Sequence, residues 1–166
     1  LAPLLIEARS RQVHPAYAQH LLGQMGIPAI KAHPGYRLTV QALGAFRVWR
    51  GSEEIAGREW QRDKARQLFQ LLLAERGSNR GGRWLQRDQI VERLWPQLAP
   101  DAAVRDFKVA LNALNKALEP ASTAASRAFY FVEREGTAYR LRPEADLWVD
   151  AAEFEALCER GLRAAA

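Results

Sequence analysis

Arg105, Lys108, Asn112, Asn115 and Lys116 fall within one stretch, AAVRDFKVALNALNKALEP at 102–120, with spacings that gather them on one side of an α-helix. A guanidinium or ammonium there can meet guanine O6 and N7 or a phosphate oxygen. A carboxamide can pair with adenine N6 and N7, and the methyl groups of Val109 or Ala113 can rest against a thymine methyl. This is the chemistry of reading base edges. It needs a smooth helical face without excess negative charge.

The helix that carries these residues must also face a core. Val104, Phe107, Leu111, Leu114 and Leu118 recur at helical spacing and are read as the inward stripe. Stepping about 100° per residue then places Arg105, Val109, Asn112, Ala113 and Lys116 outward, with Lys108 and Asn115 at the shoulders. Asp106 and Glu119 are the only carboxylates in 102–120. A helix about 10–12 Å across fits a major groove about 12 Å wide.

The neighbouring segments supply the elements that position such a helix. RDQIVERLW reads as a shorter helix stopped by Pro96, with Ile90, Val91, Leu94 and Trp95 inward. The loop PQLAP leads to Asp101, a good N-cap for the longer helix. AFYFVEREGTAYRLR gives two alternating runs around Glu135-Gly136-Thr137, which is a β-hairpin. Upstream, KARQLFQLLLAERG is a helix with Ala65, Leu68, Leu71 and Leu72 on one face and Gly77 as its C-cap. SNRGGR follows as a loop and RWL as a short strand. YRLTVQALGAFRVWRGSEEI alternates with the period of a β-meander.

At the ends, residues 1–26 read as two short amphipathic helices split at VHP, and GIPAIKAHPG reads as a linker. DLWVDAAEFEALCERGLRAAA begins another amphipathic helix, on which Cys158 is read as a small apolar residue. The chain has 166 residues, 48% of them hydrophobic, and a formal charge of +5. Residues 37–142 hold 19 Lys/Arg against 12 Asp/Glu, a balance of +7, while residues 143–166 hold 2 against 6, a balance of −4. A basic middle before an acidic end suits a polyanion-binding module joined to something else.

Catalytic readings find no support. GSNRGG lacks the Lys-Ser/Thr ending of a P-loop and follows a helix, no paired carboxylates converge, and His14, His20 and His33 are too scattered for a metal. No enzyme activity and no cofactor is expected. A single cysteine, no run of eighteen apolar residues and no basic leader lead to the expectation of a soluble, cytoplasmic, non-membrane chain.

LTVQALGAFRV, KARQLFQLLLAERG, RDQIVERLW, VRDFKVALNALNKALEP and TAYRL together resemble the winged-helix DNA-binding domain of OmpR/PhoB-type regulators. The variant in Streptomyces antibiotic regulatory protein-like transcriptional activators is more similar still. The resemblance spans residues 37–142. It implies double-stranded DNA as partner, with helix 102–119 in the major groove and hairpin 129–142 as the wing. By the same resemblance Arg105, Asn112, Ala113 and Asn115 fall at DNA-facing positions, and Trp95 falls where an indole N–H donates to phosphate. Arg134 and Thr137 lie at the wing tip, divided between DNA contact and hairpin solubility. The resemblance places Gln97 and Leu98 in a loop that touches RNA polymerase, and implies tandem dimers on direct repeats. Asn112, Ala113 and Asn115 replace positions often held by arginine, and Glu135 stands where a wing often carries a cation. An added SNRGG brings Arg80 and Arg83 as replacement charge.

ADLWVDAAEFEAL resembles the opening of a bacterial transcriptional activation domain, and LLIEARSRQVHPAYAQHLLGQMG resembles the end of a helical-repeat array in MalT-like regulators. The expected fold is α+β: a winged helix-turn-helix with an N-terminal β-meander, three helices and a C-terminal hairpin, plus flanking helices. The expected division is 1–35, 36–142 and 143–166, a piece of a larger regulator. The competing expectation is a winged helix that docks proteins rather than DNA.

Overall fold

The computed structural model describes residues 34–77, 82–120 and 129–164, together with Leu5, Ala8, Val13, His14, Tyr17, His20, Leu21 and Gln24. In chain order the elements are β1 (Leu38–Gln41), β2 (Arg47–Arg50), β3 (Glu53–Glu54), a 3₁₀ turn (Gly57–Trp60), α1 (Asp63–Gly77), β4 (Leu85–Gln86), α2 (Arg87–Leu94), α3 (Pro100–Leu118), β5 (Val132–Glu135), β6 (Ala138–Leu141), β7 (Leu147–Val149) and α4 (Asp150–Ala164). The fold is α+β. Its contacts divide into two units, residues 1–55 with 146–166, and residues 56–145. Of the helices expected at 1–26, Leu5, Ala8, Tyr17, His20, Leu21 and Gln24 are helical and Val13 and His14 are not; the rest of that segment, His33 and Arg80 lie outside the described residues.

In the first unit the alternation read in 36–56 becomes the antiparallel meander β1-β2-β3, with Val40 opposite Val48 and Leu38 opposite Arg50. Leu38, Val40 and Val48 are buried while their neighbours along each strand are more open, as a period of two requires. Gly51 turns the chain with φ +59°, a left-handed value that glycine adopts without steric penalty. Arg47 on β2 and Glu54 on β3 pair, with Nε to Oε1 at 2.8 Å.

A fourth strand was not expected. Leu147–Val149 runs parallel to β1, Leu38 beside Leu147, so the helix expected from residue 146 begins only at Asp150. Asp150 marks that switch. Its Oδ1 accepts the N–H groups of Ala42 and Ala151, each at 2.7 Å, and its Oδ2 accepts that of Leu43 at 3.1 Å. One carboxylate thus ends the strand and satisfies a donor at the start of α4. No residue of α4 is buried; Phe154, Leu157 and Cys158 are exposed.

In the second unit α1 buries Ala65, Leu68, Phe69 and Leu72, and Trp60 lies 5.8 Å from the Phe69 ring. Phe69 takes the inward place that the sequence pattern gave to Leu71, which is half-buried. α2 opens with the Gln86 N–H donating to Gln89 Oε1 at 3.1 Å and ends before Pro96, which has no N–H to continue it. Ile90 is fully buried, whereas Val91 and Leu94 are half-buried.

α3 starts earlier than the spacing predicts. Ala99 is the N-cap, extended at φ −60° and ψ 146°, with Pro100 in the first helical position, where a missing N–H costs nothing. Asp101 therefore lies inside the first turn instead of capping it. There its charge favours the positive end of the helix dipole. α3 packs on α1, α2 and the 3₁₀ turn. Phe107 joins these layers to the second sheet, edge-on to Trp95 at 6.4 Å and to Tyr139 at 5.1 Å.

That sheet has the order β4-β6-β5, all antiparallel, with Leu85 opposite Tyr139 and Val132 opposite Leu141. Gly136 and Thr137 make the two-residue connection between β5 and β6. Gly136 has φ +57° and Thr137 lacks a positive φ, which is the pattern of a II′ hairpin turn. β4 precedes α2 directly, so one short strand fixes the hairpin beside the entrance to the helix pair.

Candidate nucleic-acid interface

Around α3, the buried residues are Ala103, Phe107, Ala110, Ala113, Leu114, Asn115, Ala117 and Leu118. At about 100° per residue they cover an arc of about 200° centred near Leu114. Arg105, Lys108, Val109, Asn112 and Lys116 occupy the remaining arc and are all exposed. Asp106 is half-buried, so Asp101 in the first turn is the one carboxylate on that open face of α3. Five of the outward positions inferred from the sequence thus share one surface.

Two do not. Ala113 is 3% exposed and Asn115 7%, so neither belongs to the open face on which the sequence reading put them. The reason is the alanines. The stripe of large residues, Val104 to Leu118, is rotated by about 40° from the true inward direction, because Ala103, Ala110, Ala113 and Ala117 also face inward. Small side chains allow neighbouring elements to approach closely on that side. Val104 and Leu111 are correspondingly only half-buried.

Trp95 is 6% exposed and acts chiefly as core, its ring against Phe107 and under the Lys64 ammonium at 5.6 Å. Lys64 also donates to the Leu94 carbonyl at 2.5 Å, holding the C-terminal end of α2. After it, Leu98 N–H donates to Trp95 O at 3.1 Å, an ordered turn from which Gln97 and Leu98 project into solvent, Leu98 at 43% exposure. Leu98 does not enter the core.

At the hairpin tip, Arg134 and Thr137 are exposed. Arg134 Nε donates to Gly136 O at 2.9 Å, which fixes the side chain across the turn, and the guanidinium lies 5.8 Å from the Tyr139 ring. Thr137 Oγ1 donates to Gln86 Oε1 at 3.0 Å, and Arg87 N–H donates to Thr137 O at 2.8 Å. The turn is therefore pinned to the start of α2. Glu135 is exposed beside it.

The cations around α2, α3 and the hairpin fall into two groups. Arg87, Arg93, Arg140 and Arg142 each pair with a carboxylate, and Arg83 lies 3.7 Å from Glu75, so its charge is already opposed. Arg105, Lys108, Lys116 and Arg134 have no acidic partner within ion-pair distance among the described residues. Uncompensated positive charge on one helix face and the adjacent turn is an electrostatic footprint for a polyanion.

Two features were missed by sequence reasoning. Glu119, noted only as a carboxylate at the helix end, is 5% exposed, and its Oε1 accepts the N–H groups of Tyr130 at 2.8 Å and Phe131 at 2.9 Å. Burial pushes its carboxyl up to about 7, against those two donors and the nearby Arg142 charge, which favour the anion. The second is a groove between α3 and the hairpin, about 720 Å³, with Asn115, Trp84, Tyr139 and Arg134 among its lining. For the first, the sequence signal was Glu119 standing next to Pro120 at the helix end.

Among the described residues no His, Cys, Asp or Glu grouping could hold a metal ion, and no helix is long and apolar enough to cross a membrane. Comparison with protein-family models, with curated proteins and with solved structures finds no match for the chain.

Proposed function

We propose that the winged helix-turn-helix expected over residues 36–142, whose helices and hairpin fall within residues 56–145, binds duplex DNA in a sequence-specific manner, as part of a transcriptional regulator. α3 enters the major groove, and hairpin β5–β6 is the wing. The observation that carries this reading is the open face of α3: Arg105, Lys108, Asn112 and Lys116 are exposed together and lack acidic partners among the described residues, with Arg134 on the neighbouring turn in the same state. Phosphate contacts from Lys108, Lys116 and Arg134 position the helix. Arg105 and Asn112 read base edges and Val109, 41% exposed, packs on a thymine methyl. Ala113, Asn115 and Trp95 support this surface from behind.

With few arginines on the face, a single domain makes a modest interface, and two domains on direct repeats bind with cooperativity. Gln97 and Leu98, on an ordered turn away from the core, are the contact for RNA polymerase; an exposed leucine on a stiff loop suits a protein partner. Selection of bound sequences from a random duplex library tests the reading. Enrichment of a discrete motif, with one position relaxed in Arg105→Ala, supports it; recovery of no motif from the library removes it.

A further inference from the structure

Asn115 is 7% exposed, its Oδ1 is fully buried, and that oxygen has no hydrogen-bond partner among the described residues. A buried amide oxygen without a donor costs free energy, and such atoms are rare in folded chains. Asn115 lines two adjoining hollows between α3 and the hairpin, of about 720 Å³ and 250 Å³, which also share Leu111, Arg134 and Tyr139. The first has aromatic walls from Trp84, Phe129 and Tyr139, with the Trp84 ring held by the Arg140 guanidinium at 4.3 Å. The second is rimmed by Lys108, Arg134 and Arg87. Arg87 is paired with Asp88, whereas Lys108 and Arg134 have no acidic partner among the described residues.

An asparagine amide offers an acceptor beside a donor and is complemented by a planar edge of the opposite order, as in a nucleobase. Aromatic walls accept the faces of such a ring, and unpaired cations a short distance along the same groove accept an anionic group. We propose that this groove binds a nucleoside monophosphate, with the Asn115 amide turned from its buried position onto the base edge, a turn that breaks no hydrogen bond of Oδ1, the ring against the aromatic wall and the phosphate between Lys108 and Arg134. The first hollow lies in the volume range of small-molecule sites, roughly 300–1,000 Å³. Because Lys108 and Arg134 also belong to the proposed DNA surface, an occupied groove competes with duplex DNA. That consequence rests on the DNA reading; nucleotide binding itself does not.

The test is titration of the full chain with adenosine 5′-monophosphate, followed by calorimetry and by the side-chain amide NMR signal of Asn115. Adenosine alone, inorganic phosphate alone and a duplex are titrated in parallel. The nucleotide is expected to bind in the micromolar to millimolar range and to shift the Asn115 amide. Asn115→Leu should weaken it at least about tenfold with melting temperature unchanged or raised, since no hydrogen bond of Oδ1 is lost. Arg134→Ala, on the surface, should weaken the nucleotide about tenfold while leaving adenosine unaffected. The proposal is overturned if the Asn115 signal does not move with the nucleotide or if inorganic phosphate binds as tightly. If Asn115→Leu does not fold, equal nucleotide affinity in Arg134→Ala overturns it by itself. A nucleotide that binds as expected to a chain that ignores duplex DNA removes the DNA reading and leaves this one standing.

Discussion

The carboxylate of Glu119 accepts the backbone N–H of Tyr130 at 2.8 Å, so the C-terminal end of α3 is tied to the chain entering the β5–β6 hairpin. The same oxygen holds Phe131 N–H, and Arg142 Nε donates to the Tyr130 carbonyl at 2.7 Å. A helix that must present one face at a fixed angle to a hairpin is held there by a buried acid rather than by apolar packing alone.

That arrangement makes stability depend on pH. Burial raises the folded-state carboxyl of Glu119 to about 7, above its ordinary 4.5, so the folded chain holds this proton more tightly than the unfolded one. The contribution is fully present below the ordinary glutamate value and is lost as pH rises through about 7. Its upper limit is about 3 kcal/mol. Glu119→Gln keeps an oxygen for both N–H groups and does not titrate. Urea unfolding of the two proteins across this range should show a flatter pH profile for the variant; identical profiles would mean that Glu119 does not carry the effect.

Arginine substitution separates the two sides of α3. Val109→Arg lies on the open face and should change unfolding free energy by no more than about 0.5 kcal/mol; it exchanges the thymine-methyl contact for a phosphate contact, so duplex affinity should rise while preference at that base pair is lost. Ala113→Arg forces a long charged side chain into a site that is 3% exposed and should destabilise by more than about 3 kcal/mol or prevent folding. Denaturant melts of both variants check this. A stable Ala113→Arg protein with improved DNA affinity would restore Ala113 to the open face.

The Ala113 reversal shows where the sequence was readable and where it was not. Pro96 and Pro100 around the inter-helix loop, and Gly136 at a positive φ, are strong local signals, so α2, α3 and the hairpin were found within a few residues of their ends. The rotation of α3 was not found, because alanine has no hydrophobic mass to mark which way it faces; only the neighbours that pack against it do. β7 was hidden for a related reason. Leu147-Trp148-Val149 continues smoothly into a helical pattern, and its strand state depends on pairing with β1, more than a hundred residues earlier. Asn115 looked like a base-reading amide by type, and its burial follows from the same unmarked rotation.

The loop between α2 and α3 offers a separable function. Gln97→Ala and Leu98→Ser remove exposed groups and should leave melting and operator affinity nearly unchanged while lowering transcription from a dependent promoter. In vitro transcription alongside DNA-binding isotherms reads both. Losses of DNA binding and transcription in parallel would make the loop structural.

The DNA-binding reading is tested most directly by the salt dependence of duplex affinity, measured for the unaltered chain and for a triple variant, Lys108→Ala with Lys116→Ala and Arg134→Ala. Each phosphate neutralised contributes about 0.9 to the slope of log affinity against log salt. The unaltered chain is expected to lose affinity steeply as salt rises, and the triple variant to show a slope shallower by about 3. Affinity for duplex that does not change with salt, or a triple variant whose slope equals that of the unaltered chain, would contradict the assignment of the α3 face and wing turn to DNA.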